Sequence, residues 1–327
     1  MARTGPRDGR EAAVTGADVE DAAARIGGRV RETPVAVLEE GAFGLDARLT
    51  LKLELLQHSG SFKARGAFNR ILSSSVPPAG VVAASGGNHG AAVAYAARAL
   101  GHRAEVFVPE VSSPFKVDLI RRYGAEVTVG GAFYADAYAA SAKRAAETGA
   151  LVVHAYDQPE VVAGQGTLGR QLHRQAPDLD TVLVAVGGGG LMGGTAAYYR
   201  GEARVVGVEP ELAPTLHEAL RAGEPVDVET GGLAADSLGA KRAGNLAFSI
   251  AQRYVDGVVL VEDDAIREAQ RALWRTLRIV AEPGGAIALA ALLSGRYRPQ
   301  GGGARGRPRL RRQRGPCTGA FLTVTRL

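Results

Sequence analysis

Residues 80–108 read GVVAASGGNHGAAVAYAARALGHRAEVFV. A β-branched run at 80–84 meets small residues at 85–90. An Ala-rich stretch follows at 89–101, then a second β-branched run at 104–108. Short β-branched runs fit buried strands, and an Ala-rich stretch between them fits a helix. The segment reads as strand, turn, helix, strand, the unit from which parallel sheets are built. Asn88, His89 and Arg98 interrupt its apolar character, so it does not read as a membrane span.

The rhythm extends in both directions. Further strands are expected at 48–55, 125–129, 151–155, 181–186, 203–209 and 256–262. Helices are expected at 17–27, 114–123, 134–148, 160–174, 191–201 and 263–278, with Asp18 as a cap of the first. The fold class is therefore α/β with parallel sheet. A chain of 327 residues suffices for one large domain or two intimate lobes.

The net charge of +5 has to be located before it is interpreted. Seven arginines and no acid fall in 301–327, and the other 300 residues hold 32 basic and 34 acidic side chains, a net of −2. The body has no basic surplus for nucleic acid or an anionic membrane, and the Arg-rich tail has no interleaved aromatics. Cys317 is the only cysteine, which excludes an intrachain disulfide and a multi-cysteine metal site. No apolar run follows MARTGPRDGR, so a cytoplasmic protein without a secretory signal is expected.

Three motifs carry chemistry. Ser59-Gly60-Ser61-Phe62-Lys63-Ala64-Arg65-Gly66-Ala67 follows the 48–55 strand and opens a helix. The positive end of a helix dipole repels an ammonium, so Lys63 is expected to have a lowered pKa and to serve as an amine nucleophile. Position alone fits a surface lysine after a flexible turn better. Ser85-Gly86-Gly87-Asn88-His89-Gly90 offers backbone amides at a second helix start, expected near residue 90. That suits a carboxylate or phosphate, and also fits an ordinary turn with Asn as a cap. A lone His at such a place, here His89, is commonly a hydrogen-bonded structural residue.

Gly187-Gly188-Gly189-Gly190-Leu191 follows the 181–186 strand and is an anion-binding loop. Gly188, Gly190 and Gly193 also satisfy G-x-G-x-x-G, and Glu209 stands where a dinucleotide fold keeps its ribose carboxylate. A nicotinamide oxidoreductase is thus a competing reading. It leaves the lysine and the second nest without a purpose. A pyridoxal phosphate enzyme needs all three: a Schiff-base lysine, a nest for an amino acid carboxylate and a cradle for the cofactor phosphate.

In this order, SGSFKARGA, SGGNHG and GGGGL resemble the fold-type II pyridoxal 5'-phosphate enzymes, closest to the serine/threonine dehydratase family with its serine racemases. The resemblance covers about 20–297. It implies two open, twisted, mostly parallel sheets flanked by helices. It also implies a large domain from 1–75 and 156–327, with a small domain, 76–155, inserted. Lys63 resembles the lysine that binds the cofactor and moves the α-proton, and Phe62 the residue beside its ring. Asn88 resembles the side chain on its phenolic oxygen. Ser85, Gly86, Gly87, Asn88 and His89 resemble the substrate-carboxylate loop, and Gly187, Gly188, Gly189, Gly190 and Leu191 the phosphate cradle.

The implied activity is β-elimination of L-threonine or L-serine to a 2-oxoacid and ammonia. Alternatives within the resemblance are another lyase, a racemase, or a catalytically weak relative. The implied partners are a small amino acid and further copies of the chain, as a dimer or tetramer, with no nucleic acid and no membrane. Three departures matter. Racemases of the family carry a second serine where this chain has Gly86, which favours dehydration. The family's cation site has an Asp where this chain has Thr215, after Glu209 and Ala213, so no metal is expected. Finally, the family's apolar strand with its terminal Ser, Thr or Cys is replaced by the Arg-rich 298–327. That text fits an out-of-frame reading of a GC-rich gene. Only FLTVTRL at the end is able to form a strand there. With a genuine tail, Cys317 and Thr318 are the candidates at the cofactor's ring nitrogen; without the strand, cofactor affinity and stability are expected to suffer. No appended regulatory domain is expected.

Overall fold

The alternation of strand and helix persists through the computed structural model, which describes residues 14–299 and 317–322. In chain order the first half contains α1 (Gly16–Arg25), β1 (Val35–Val37), β2 (Arg48–Leu53), α2 (Lys63–Leu72), β3 (Val81–Ala84), α3 (Asn88–Ala99), β4 (Ala104–Val108), α4 (Pro114–Arg122), β5 (Glu126–Val129), α5 (Tyr134–Thr148) and β6 (Leu151–Val152). Then come α6 (Pro159–Gln175), β7 (Thr181–Ala185), α7 (Gly190–Tyr199), β8 (Arg204–Pro210), α8 (Thr215–Ala222), α9 (Ala235–Leu238), α10 (Asn245–Tyr254), β9 (Gly257–Val261), α11 (Asp263–Leu277), α12 (Pro283–Leu293) and β10 (Cys317–Leu322).

Two sheets result. One has four parallel strands in the order β5-β4-β3-β6. The other has six in the order β1-β2-β10-β7-β8-β9, parallel except for β1. The strands of both sheets are rich in Val, Ala and Leu because helices cover them. β7 is buried throughout, between a core with α6, α7 and α10 and a second core with α11 and α12.

Several local expectations are corrected. Thr15, not Asp18, caps α1; Asp18 accepts the Thr15 amide at 2.7 Å and completes a capping box. The strand expected at 151–155 ends at Val152, because residues 154–158 turn away. The helix expected near residue 90 begins at Asn88. The tail is the largest correction. Cys317–Leu322 occupies the slot between β2 and β7, pairing in parallel with both. A strand is therefore present in the tail, and its start precedes the FLTVTRL segment where one was expected. The out-of-frame reading otherwise concerns residues outside the described ones, as do the side chains of Cys317 and Thr318.

Close backbone packing places the site. A Cβ on Gly66 of α2 would lie 2.4 Å from the Gln165 amide of α6, and one on Gly164 would lie 2.7 Å from the Gly66 Cα. Farther along α6, a Cβ on Gly166 would meet the Gly194 carbonyl of α7 at 2.7 Å. α6 thus holds the lysine helix α2 on one side and the glycine-loop helix α7 on the other. A buried charge network adds to the first contact. Arg65 makes a two-pronged ion pair with Glu54, both bonds 2.8 Å, and donates to Gln171 of α6 at 2.9 Å. Lys52 of β2 is buried beside it, donating to the Thr33 carbonyl, Gln171 and Gln175.

Candidate active site

The turn before α2 needs two successive left-handed residues, Ser59 (φ 57°) and Gly60 (φ 79°). They reverse the chain between β2 and α2 and bring Lys63 to the first helical position. Its Nζ lies 5.3 Å from the centroid of the Phe62 ring and donates to the Ala155 carbonyl at 2.8 Å. Burial pushes Lys63 down to about 8, and the Glu282 carboxylate resists that shift. An amine titrating there is available as a nucleophile near neutral pH. The surface-lysine alternative does not survive this placement.

Glu282 also connects the second motif. It precedes α12, and its Oε1 accepts from the Asn88 side-chain amide at 2.8 Å. The Asn88 side chain therefore faces a carboxylate and does not cap α3, whose cap position is Gly87. The Ser85 hydroxyl accepts the Gly87 amide at 3.1 Å, tightening the loop ahead of α3. Gly86 is required by a neighbour: a Cβ there would fall 1.9 Å from the Ser112 hydroxyl. His89 is buried, and its Nε2–H donates to the Val153 carbonyl at 2.8 Å. Burial, reinforced by the Lys63 charge, pushes its imidazole down to about 3, so the ring is neutral and structural. Only its backbone is left to the loop.

The third motif forms the turn from β7 into α7. Gly189 caps α7 at φ 88°, and the Gly188 carbonyl accepts the Gly244 amide at 3.0 Å. A Cβ on Gly188 would strike the Tyr156 ring at 2.3 Å, and one on Gly189 the Ala247 Cβ at 2.6 Å. The loop is a cradle that side chains would fill. Leu191 is buried within the α7 core. Tyr156 follows Ala155, so the acceptor of the Lys63 amine and the wall of the cradle are consecutive residues.

Glu209 has another task. Its two carboxylate oxygens accept the amides of Leu216 and His217, at 2.7 and 2.9 Å, at the start of α8. Burial pushes its carboxyl up to about 8, against these two bonds. With both oxygens committed, Glu209 is no ribose ligand, which removes the support for a nicotinamide site. Thr215 is likewise engaged, donating to the Ala240 carbonyl at 2.6 Å.

A family profile described as "Pyridoxal-phosphate dependent enzyme" matches residues 26–304. The chain belongs to that family. It is 40% identical over 283 residues to an L-threonine ammonia-lyase of Geobacter sulfurreducens, covering 85% of this chain and 70% of the relative. The solved structure of maize serine racemase superposes with a TM-score of 0.88 at 30% identity, covering 96% of this chain and 94% of that one. A threonine deaminase of T.th. superposes at 0.83 with 36% identity, covering 95% and 97%. The architecture is that of fold-type II pyridoxal phosphate enzymes.

The residues present fit the family's cofactor. They offer a half-buried amine of lowered pKa, a side-chain amide and a glycine cradle at the N-terminus of a ten-residue helix. Sequence motifs did not point to Ala155, Tyr156, Ser112 or Glu282. Only Glu282 had a readable signal, in the run Glu282-Pro283-Gly284-Gly285-Ala286, which resembles the family outside the three motifs.

Proposed function

We propose that this protein is an ammonia-lyase that eliminates the β-hydroxyl of L-threonine or L-serine, giving 2-oxobutanoate or pyruvate and ammonia. One observation carries the reading: the Lys63 amine meets the Ala155 carbonyl, the glycine cradle packs on the adjacent Tyr156, and Glu282, which holds the Asn88 side chain, acts electrostatically on Lys63. The names of the relatives support the reaction class. Bound pyridoxal phosphate supplies an electron sink for the carbon that loses its proton.

The chain's own residues have distinct tasks. Lys63 would hold the cofactor covalently, and its Nζ is the atom that would take the α-proton. Ala155 fixes one N–H of that amine, which directs the lone pair away from the carbonyl. Gly187 to Leu191 hold the phosphate at the α7 N-terminus. Asn88 donates toward the ring substituents, and Glu282 fixes its orientation. The loop from Ser85 to His89 takes the substrate carboxylate through its backbone amides. Phe62 packs near the ring. We also read 76–155 as a small domain inserted between 1–75 and 156–327, because its four strands pair only among themselves.

A spectrum and a keto-acid assay test the reading. The purified protein is expected to absorb as a lysine-linked pyridoxal phosphate enzyme and to release keto acid from L-threonine or L-serine. Lys63→Ala is expected to lose both. Keto acid from neither L-isomer, or release only from the D-isomers, would overturn the substrate reading.

A further inference from the structure

His154 lies beside the site and belongs to none of the motifs. Its Nδ1 accepts two backbone amides, from Tyr156 at 3.2 Å and Asp157 at 2.9 Å. Nδ1 is therefore the unprotonated nitrogen, and the proton sits on Nε2. The ring is held edge-on by Tyr138 and Tyr156, with centroids 5.7 and 4.8 Å away. Gln158 closes the same turn from the other side. Its Oε1 accepts the His154 amide at 2.9 Å, and its Nε2 donates to the Val152 carbonyl at 3.2 Å. Asp157 then caps the start of α10, accepting the amides of Asn245 and Leu246.

Between His154 and Tyr156 lies Ala155, whose carbonyl receives the Lys63 amine. The two amides on Nδ1 set the backbone of this turn, and with it the direction of that carbonyl. We propose that His154 is a positioning residue: its imidazole, accepting the Tyr156 and Asp157 amides, aims the Ala155 carbonyl at the Lys63 amine. The proposal rests on the reading of Lys63 as the reactive lysine. Burial, opposed by Asp157, holds the imidazole below its ordinary range, so Nδ1 stays an acceptor.

Bond topology provides the discriminating variant. Asn Oδ1 and His Nδ1 are both two bonds from Cβ, and Asn side chains accept amides two and three residues ahead in turns. His154→Asn keeps the acceptor and loses the ring. His154→Ala loses both, and His154→Gln sets its acceptor one bond too far. Apoprotein of each variant, of the wild type and of Lys63→Ala is mixed with pyridoxal phosphate, and the lysine-linked absorbance is followed in time. The kcat and KM of the reconstituted proteins and the Tm of the apoproteins are measured alongside.

His154→Ala and His154→Gln are expected to capture the cofactor about tenfold more slowly and to lose about tenfold in kcat, with KM nearly unchanged. His154→Asn is expected to recover most of both. Capture and kcat in His154→Ala equal to wild type, or an Asn variant no better than Ala, overturns the proposal. So does a pattern in which the variants differ in Tm alone. Absorbance that survives in Lys63→Ala overturns the reading of Lys63, and the proposal with it.

Discussion

The Tyr156 ring lies directly against Gly188: a Cβ on that glycine would fall 2.3 Å from two of its carbons. The cradle is thus closed by an aromatic wall that leaves no room for a methyl group. Gly188→Ala must displace Tyr156 or the loop, an overpacking cost of about 1–3 kcal/mol. If the strain falls on the cofactor-binding conformation, affinity for pyridoxal phosphate drops about tenfold or more. Absorbance titration of the apoprotein reads it. Tyr156→Ala in the same chain is expected to restore part of the loss. Gly130→Ala, with nothing within 4 Å of the new Cβ, is expected to change nothing.

Gly86 makes a second such contact, with the Ser112 hydroxyl 1.9 Å from the position of its missing Cβ. Ser112 fills the space a side chain at 86 would take, on the loop read as the carboxylate site. Gly86→Ala is expected to raise KM severalfold by displacing that loop, with cofactor absorbance retained. Gly86→Ala with Ser112→Gly removes the collision and is expected to return KM toward wild type. Steady-state kinetics of the two variants decide it; a double variant as impaired as the single one would show that Ser112 is not the obstacle.

The strand and helix rhythm was legible because both sheets bury short β-branched runs between helices of ordinary length. The helix from 134 to 148 was readable to the residue. The region 211–250 was not, since α8, α9 and α10 lie among glycines and prolines without sustained periodicity. The three motifs were readable because each puts small residues or a lysine at a helix start, where backbone amides and dipole act locally. Ala155 and Tyr156 were not, because their roles arise from contacts with residues 63 and 188, far away in the chain, and His154 acts only through them. β10 was hidden for a related reason: CTGAFL follows an Arg-rich stretch, and the slot it fills exists only once β2 and β7 have flanked it.

The Glu54–Arg65 pair gives a stability prediction with a defined pH sign. Burial works to raise the Glu54 pKa, but the charge and hydrogen bonds of Arg65, together with the Lys52 charge and the Thr33 hydrogen bond, outweigh it and hold the carboxyl below its ordinary 4.5. A depressed carboxylate contributes stability above its unfolded value that is lost as pH falls through the folded one. Arg65→Met leaves Glu54 buried without its partner, at a cost of about 3–5 kcal/mol near neutral pH. Burial then dominates, the Glu54 pKa rises, and the variant recovers stability as pH falls toward the ordinary carboxylate range, opposite to the wild-type trend. Urea midpoints measured at neutral and acidic pH read the reversal. Glu54→Leu with Arg65→Met removes both charges and is expected to be far less destabilised than Arg65→Met.

The position of β10 makes residues 317–322 a structural necessity. Cys317–Leu322 pairs with β2 along its whole length and with β7 at residues 318–320, so it joins two halves of one sheet. Without it, β1 and β2 would be cut off from β7, β8 and β9, and two inner edges would lose their partners. An unpaired inner edge with apolar faces is an aggregation site, and a two-stranded remnant is not stable alone. Deleting residues 317–327 is therefore expected to abolish soluble, cofactor-binding protein, although no side chain of the three sequence motifs is removed. Deleting only residues 302–312, which lie outside the described strands, separates length from pairing. That variant is expected to be affected only insofar as the shortened connection from α12 fails to reach β10. Expression, size-exclusion chromatography and cofactor absorbance of the two deletions provide the comparison. A well-folded, pyridoxal-phosphate-binding protein lacking 317–327 would show that the sheet closes without β10.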